Sequence, residues 1–119
     1  MLRVLLLDDD ENMKVLLGYY LKRYGVQADI DQFFNLEDAE VCTKDYDMWI
    51  VDHRLKNHTG LDFIQHNRTP KPFIYGSFYL NEQLKEAVRK YGGIPLDKNS
   101  LLENPESIKN ALEDLKIAA

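Results

Sequence analysis

The residues of this chain best equipped for chemistry are carboxylates that follow short apolar runs. Val4-Leu5-Leu6-Leu7 leads directly into Asp8-Asp9-Asp10, and Trp49-Ile50-Val51 leads into Asp52. Runs of this kind fit buried strands of a parallel sheet. The carboxyl ends of such strands form the edge where open α/β sheets bind ligands. Either acidic stretch alone also reads as the start of a turn or a helix cap. Two strands delivering acids to one edge make a site the simpler reading. Ser77 follows Phe73-Ile74-Tyr75-Gly76, and Lys98 follows Ile94-Pro95-Leu96 closely. Each alone reads as a turn serine or a solvated lysine, but at the same edge they add a hydroxyl and a cation to the acids.

Three carboxylates gathered about 4 to 5 Å apart repel by about 3 to 4 kcal/mol per pair at an effective dielectric of ~20. A cation must offset that repulsion. A hard divalent ion suits oxygen ligands, and Mg²⁺ commonly combines one or two carboxylates with waters and a phosphoryl oxygen. Lys98 can pair with a second anionic oxygen, and Ser77 can donate to a third. Together these groups describe a receptacle for a phosphoryl group, with Asp52 the acceptor.

The elements that must position these residues alternate along the chain. Met13, Leu16, Leu17, Tyr20, Leu21 and Tyr24 have helical spacing, with Asp9 or Asp10 available as cap and Gly25 at the end. Alternation over Val26–Ile30 predicts a second strand near a sheet edge. Asn35 with Asp38 opens a short helix through Leu36, Ala39 and Cys42. After Asp52 comes a polar loop, Lys56 to Gly60, then a short helix capped by Thr59 and ended by Pro70 and Pro72. Asn81 caps a helix bearing Leu84, Ala87, Val88 and Tyr91, stopped by Gly92-Gly93. Pro95 places the fifth strand at an edge, and Pro105 opens a last helix with Ile108, Ala111, Leu112 and Leu115 inward. This alternation predicts an α/β fold: a five-stranded parallel sheet, doubly wound and flavodoxin-like, with helices on both faces.

Composition bounds the function. A chain of 119 residues is read as one domain with a real core. Its net charge of −5 argues against a nucleic-acid footprint. The opening apolar run is cut at Asp8, too early for a secretory core or a membrane span. One cysteine, Cys42, allows no internal disulfide and reads as a small core residue in a reducing, cytoplasmic setting.

These residues, in this order and register, resemble the receiver domain of two-component response regulators over essentially the whole sequence. The acidic pair Asp8-Asp9, Asp52 at a strand end with Gly60 beyond it, Ser77 and Lys98 carry the resemblance. It implies that Asp52 accepts a phosphoryl group from a histidine kinase or phosphotransfer protein, and that Asp9 and Asp52 bind Mg²⁺ directly. Asp8 would act through water, and the Arg54 carbonyl would be a further ligand. Ser77 would be the switch hydroxyl and Lys98 the phosphoryl-binding lysine. Catalysis would be limited to the domain's own phosphorylation and hydrolysis. No output domain is expected beyond Leu115, in which case output would pass to a protein partner over a surface that includes Lys85, Arg89 and Lys90.

Four residues depart from the family's pattern. Lys56 and Asn99 stand where proline is common, and Pro95 replaces the switch aromatic three residues before Lys98. Phe78, bulky and directly after Ser77, stands where the family has a small residue; it is expected to crowd the entry to the acceptor, the alternative being that its ring packs among the helices and leaves the entrance clear. Two other classes compete. Asp8-x-Asp10 resembles the nucleophile motif of haloacid-dehalogenase-type phosphohydrolases, although a late acidic motif is missing, and Pro95 with Phe78 leaves open a receiver-like binding module that takes no phosphate. A flavodoxin-like electron carrier fits poorly, because three aspartates make a poor cradle for a flavin phosphate.

Overall fold

The computed structural model describes residues 1–41, 46–67 and 70–115; Cys42 lies outside them. The chain runs β1 (Leu2–Leu7), α1 (Met13–Arg23), β2 (Ala28–Phe33), α2 (Leu36–Glu40) and β3 (Met48–Asp52). A small antiparallel hairpin of β4 (Arg54–Leu55) and β5 (His58–Thr59) precedes α3 (Gly60–His66). Then come β6 (Phe73–Ser77), α4 (Glu82–Lys90), β7 (Ile94–Asp97), α5 (Lys98–Glu103) and α6 (Glu106–Asp114). The five long strands form one parallel sheet in the order β2-β1-β3-β6-β7. This is the doubly wound fold expected from the alternation. Strand order reverses between β1 and β3, so the crevice of such a sheet opens beyond their carboxyl ends, at Asp8 and Asp52.

Side-chain alternation divides the core into two layers. Val4, Leu6, Met48, Ile50 and Ile74 pack under α1, α5 and α6, joined by Leu17, Leu101, Ile108 and Leu112. Leu5, Leu7, Trp49, Val51, Phe73 and Tyr75 face α2, α3 and α4, joined by Leu36, Phe63 and Val88. Apolar residues on both faces explain why the sequence of β1 and β3 reads as continuous hydrophobic runs. Among the described residues, no helix is long and apolar enough to cross a membrane.

Several local expectations are corrected. The second strand starts at Ala28 and reaches Phe33, because its register with β1 continues to the pair Leu7 and Phe33. Val26 instead closes α1, its N–H donating to Leu21 O at 2.9 Å after Gly25 turns with φ 75°. Neither Asp9 nor Asp10 caps α1; Asn12 holds that position with no side-chain cap bond. Asp8 and Asp10 serve the loop, where Asp8 Oδ1 accepts from Asp10 N and Asp10 Oδ1 from Asn12 N, both at 2.9 Å. Asn35 and Asn81 do cap their helices, accepting from Asp38 N and Leu84 N. Helix α3 stops at His66, before either proline, and Pro105 occupies the cap position of α6 rather than its first turn. The β4–β5 hairpin turns through Asn57 at φ 67°. Two-residue strands carry no periodicity, so the polar loop gives no sign of it.

Gly60 ties the hairpin and α3 against the end of β3. A Cβ there would lie 2.3 Å from Asp52 O, 2.6 Å from Val51 Cγ1 and 2.8 Å from the Tyr75 ring. Gly18, on α1, has only Ile30 Cδ1 at 4.0 Å. Gly60→Ala is expected to destabilise by about 3 kcal/mol through backbone displacement. Gly18→Ala should instead be stabilising by about 0.5 to 1 kcal/mol, as in other helix interiors. Urea unfolding of the two variants checks the contrast; similar midpoints would refute the close-approach argument.

Candidate functional site

Four strand ends converge as the alternating topology requires. Asp8 directly follows β1, Asp52 ends β3, Ser77 ends β6 and Lys98 directly follows β7. Their exposures are 2%, 8%, 5% and 6%, low values for charged and hydroxyl side chains. Lys98 Nζ donates to Asp8 Oδ2 at 2.9 Å and lies 3.2 Å from Asp52 Oδ1. Its aliphatic stem runs over Gly76, where an added Cβ would stand 3.2 Å from Lys98 Cγ. Asp9 is exposed, yet it offers a carboxylate oxygen to the same cluster: ligand atoms of Asp8, Asp9 and Asp52 all lie within 4.8 Å of one another.

One ammonium cannot neutralise three carboxylates. Burial lifts the Asp8 carboxyl above its ordinary value against the opposing Asp10 N–H and Lys98. Burial, followed by the Asp8 charge, pushes Asp52 up to about 6, with Lys98 pulling the other way. For Lys98, burial works against the charge, but the Asp8 hydrogen bond and the Asp52 charge outweigh it and its pKa is raised. When all three acids are ionised the cluster retains two uncompensated negative charges. An all-oxygen donor set with that excess fits a hard divalent cation.

A cleft of about 360 Å³ opens above the cluster, with Arg54, Phe78 and Tyr79 on its rim. Phe78 is 47% exposed, its ring centroid 5.2 Å from Lys98 Nζ. It therefore faces the entrance and is not tucked among the helices. Arg54 lies over the Tyr79 ring at 5.6 Å. Ser77 Oγ accepts from Tyr79 N at 3.1 Å, so its own proton is free to donate elsewhere.

Three residues that the sequence does not single out also bear on the site. Gln32 Nε2 donates to Asp8 O at 2.9 Å and Asp10 O at 2.8 Å. Tyr75, fully buried, accepts from Leu61 N at 2.8 Å, and its hydroxyl is 2.6 Å from His53 Nδ1. Burial and the Arg54 charge hold His53 below its ordinary pKa, which suits a neutral ring accepting the tyrosine proton. Tyr75 pairs with Pro95 across β6 and β7, so the aromatic at this level of the sheet sits one strand inward. A tyrosine inside an apolar strand was the available signal, since a buried hydroxyl needs partners.

Neither a protein-family model nor a curated protein sequence matches this chain. Solved structures do. The chemotaxis response regulator CheY4 of Vibrio cholerae superposes with a TM-score of 0.75 at 21% identity, over 97% of this chain and 98% of that one. The BeF3-activated receiver domain of DrrB gives 0.77 at 16% identity over 99% of each. Response regulator TrrA of Thermotoga maritima, in complex with Mg²⁺-BeF, gives 0.70 at 23% identity over 94% of this chain and 100% of that one. The chain thus has the CheY-like receiver fold over nearly its whole length. Its chemistry has to be argued from its own side chains.

The charge excess has a measurable consequence. Asp52 titrates at about 6 when folded against an ordinary 3.8, so the folded state holds the extra proton between those values. Stability from this group therefore falls as pH rises through that window, and the penalty is complete above it. In metal-free buffer Asp52→Asn should be more stable than the parent near pH 8 by on the order of 3 kcal/mol, the gap closing toward pH 4. Thermal melts across this range check it; a gap independent of pH would contradict the electrostatic account.

Proposed function

We propose that this chain is a phosphoacceptor signalling domain. Asp52 receives a phosphoryl group from a phosphohistidine on a histidine kinase or phosphotransfer protein, and the signal passes to a protein partner. The observation that carries this reading is the buried Lys98 shared between Asp8 and Asp52 beneath an open cleft. In transfer, an Asp52 oxygen attacks phosphorus in line, the donor P–N bond breaks and its electron pair returns to the imidazole. Lys98 then has a new anionic oxygen within reach, and the Ser77 hydroxyl can donate to another. Asp8, Asp9 and Asp52 would hold Mg²⁺, with the Arg54 carbonyl as a further ligand; when bound, the ion supplies charge neutralisation for the phosphoryl oxygens.

Acetyl phosphate with Mg²⁺ is expected to add one phosphoryl group, which peptide mapping should locate on Asp52. Modification of Asp8 that survives Asp52→Asn would instead favour the phosphohydrolase reading. That alternative is poorly served by the geometry, because Asp8 is 2% exposed and already bonded to Lys98 and Asp10 N. Phe78 on the rim and Pro95 on the edge strand favour a second reading, a receiver-like module that binds its partner without phosphate. No modification by any donor would support that one.

Phe78 at the entrance also predicts slow exchange. Its replacement by alanine is expected to accelerate both phosphorylation by acetyl phosphate and dephosphorylation, by about tenfold, which corresponds to about 1.4 kcal/mol of barrier. Equal rates in Phe78→Ala and parent, with stability intact, would show that the ring does not limit access.

A further inference from the structure

We infer that Gln32 is a positioning residue of the metal site, and that by fixing the Asp8–Asp10 loop it sets a preference for Mg²⁺ over larger divalent cations. The inference rests on the reading of Asp8, Asp9 and Asp52 as metal ligands. Asp9 is the ligand most in need of support, since it is exposed at the middle of a turn between β1 and α1. The carbonyls on either side of it, Asp8 O and Asp10 O, are both held by the single side-chain amide of Gln32. A third bond, Asp8 N to Phe33 O at 3.0 Å, ties the same loop to the same strand. On its other side Asp10 O also accepts from Met13 N at 3.1 Å, joining the loop to α1.

Glutamine suits this task chemically. Its planar NH₂ group presents two protons in a fixed fork, enough for two carbonyl acceptors, and it carries no charge to compete with a cation. An aliphatic residue would preserve the strand but remove the amide that joins the two carbonyls, leaving Asp10 O with Met13 N alone. A lysine would reach them and add a positive charge beside the metal ligands. Rigidity matters because Mg²⁺ demands near-ideal octahedral geometry at about 2.0 to 2.1 Å, whereas Ca²⁺ accepts a flexible shell at about 2.3 to 2.6 Å. A loop held at both carbonyls can hold Asp9 at the tighter distance. A loosened loop still offers carboxylates, and these serve Ca²⁺ nearly as well.

The test is calorimetric titration of Mg²⁺ and of Ca²⁺ into the parent chain, Gln32→Met and Gln32→Asn, with Ile108→Val as a control for destabilisation far from the site. Gln32→Met keeps the side-chain length and loses both donors; Gln32→Asn keeps the amide but shortens its reach. Gln32→Met is expected to raise the Mg²⁺ Kd about tenfold, a usual cost of losing a group that orients metal ligands. Its Ca²⁺ Kd should stay within about twofold of the parent value, so that the preference for Mg²⁺ collapses. Gln32→Asn should fall between, and Ile108→Val should melt earlier with its preference unchanged. An equal loss for both ions, or an unchanged preference in a folded Gln32→Met or Gln32→Asn protein, overturns the inference. If the parent binds neither ion, the metal-site reading fails first and the inference with it, an outcome distinguished without recourse to the variants.

Discussion

A single ammonium shared between two buried carboxylates governs this structure. Lys98 sits 2.9 Å from Asp8 and 3.2 Å from Asp52, and no arrangement of one cation satisfies both acids fully. Burying charges costs several kcal/mol per ion before pairing recovers any of it. The sheet can hold the cluster because its core is secured elsewhere, by two apolar layers that run the length of β1, β3 and β6. Charge strain is therefore confined to the carboxyl edge. A site left with excess negative charge gains most from a ligand that brings positive charge, so the residues that reduce stability are also the ones suited to hold a cation.

The order of strands explains why these particular residues meet. Asp8 and Asp52 are separated by 44 positions in sequence, yet β1 and β3 are neighbours with Leu7 beside Val51. Ser77 and Lys98 arrive from the next two strands outward. The path of Lys98 depends on Gly76, whose missing side chain leaves room for the lysine stem. Asp97 then caps α5, its side chain accepting from Asn99 N at 2.9 Å, which fixes the backbone just where Lys98 begins the helix. Small local rules, a bare glycine and a cap, thus aim the one buried cation.

Much of this was legible in the sequence because the central candidate residues stand at or just beyond the end of an apolar run. Asp8, Asp52, Ser77 and Lys98 stand at strand ends, and a doubly wound topology sends all such ends to one edge. The helix caps at Asn35 and Asn81 were legible for the same local reason. Gln32 was not, because its value depends on how far β2 pairs with β1, and pairing length is a tertiary matter. The β2 alternation signal points to Val26–Ile30, whereas the ladder runs on to Phe33 and carries Gln32 to the acidic loop. Tyr75 likewise reads as a core residue; only the proximity of His53 and Leu61 gives its hydroxyl a purpose. The helix Lys98–Glu103 escapes a pattern reading because it is short and begins within the site itself.

Phe78 acts on the cleft in two opposed ways, and magnitudes decide between them. Its ring blocks part of the entrance, but its face also lies 5.2 Å from the Lys98 ammonium. A cation–π contact of this kind contributes about 0.5 to 1 kcal/mol at exposed sites and ~2 kcal/mol when desolvated. With Phe78 almost half exposed, the lower end applies. Lys98 is held far more firmly by two carboxylates near 3 Å, each a charge-assisted contact in a buried setting. Removing the ring should therefore leave the lysine in place while widening the approach to Asp52. On this account the aromatic rim would set how readily the site is reached, and the buried acids with Lys98 what it could do once reached.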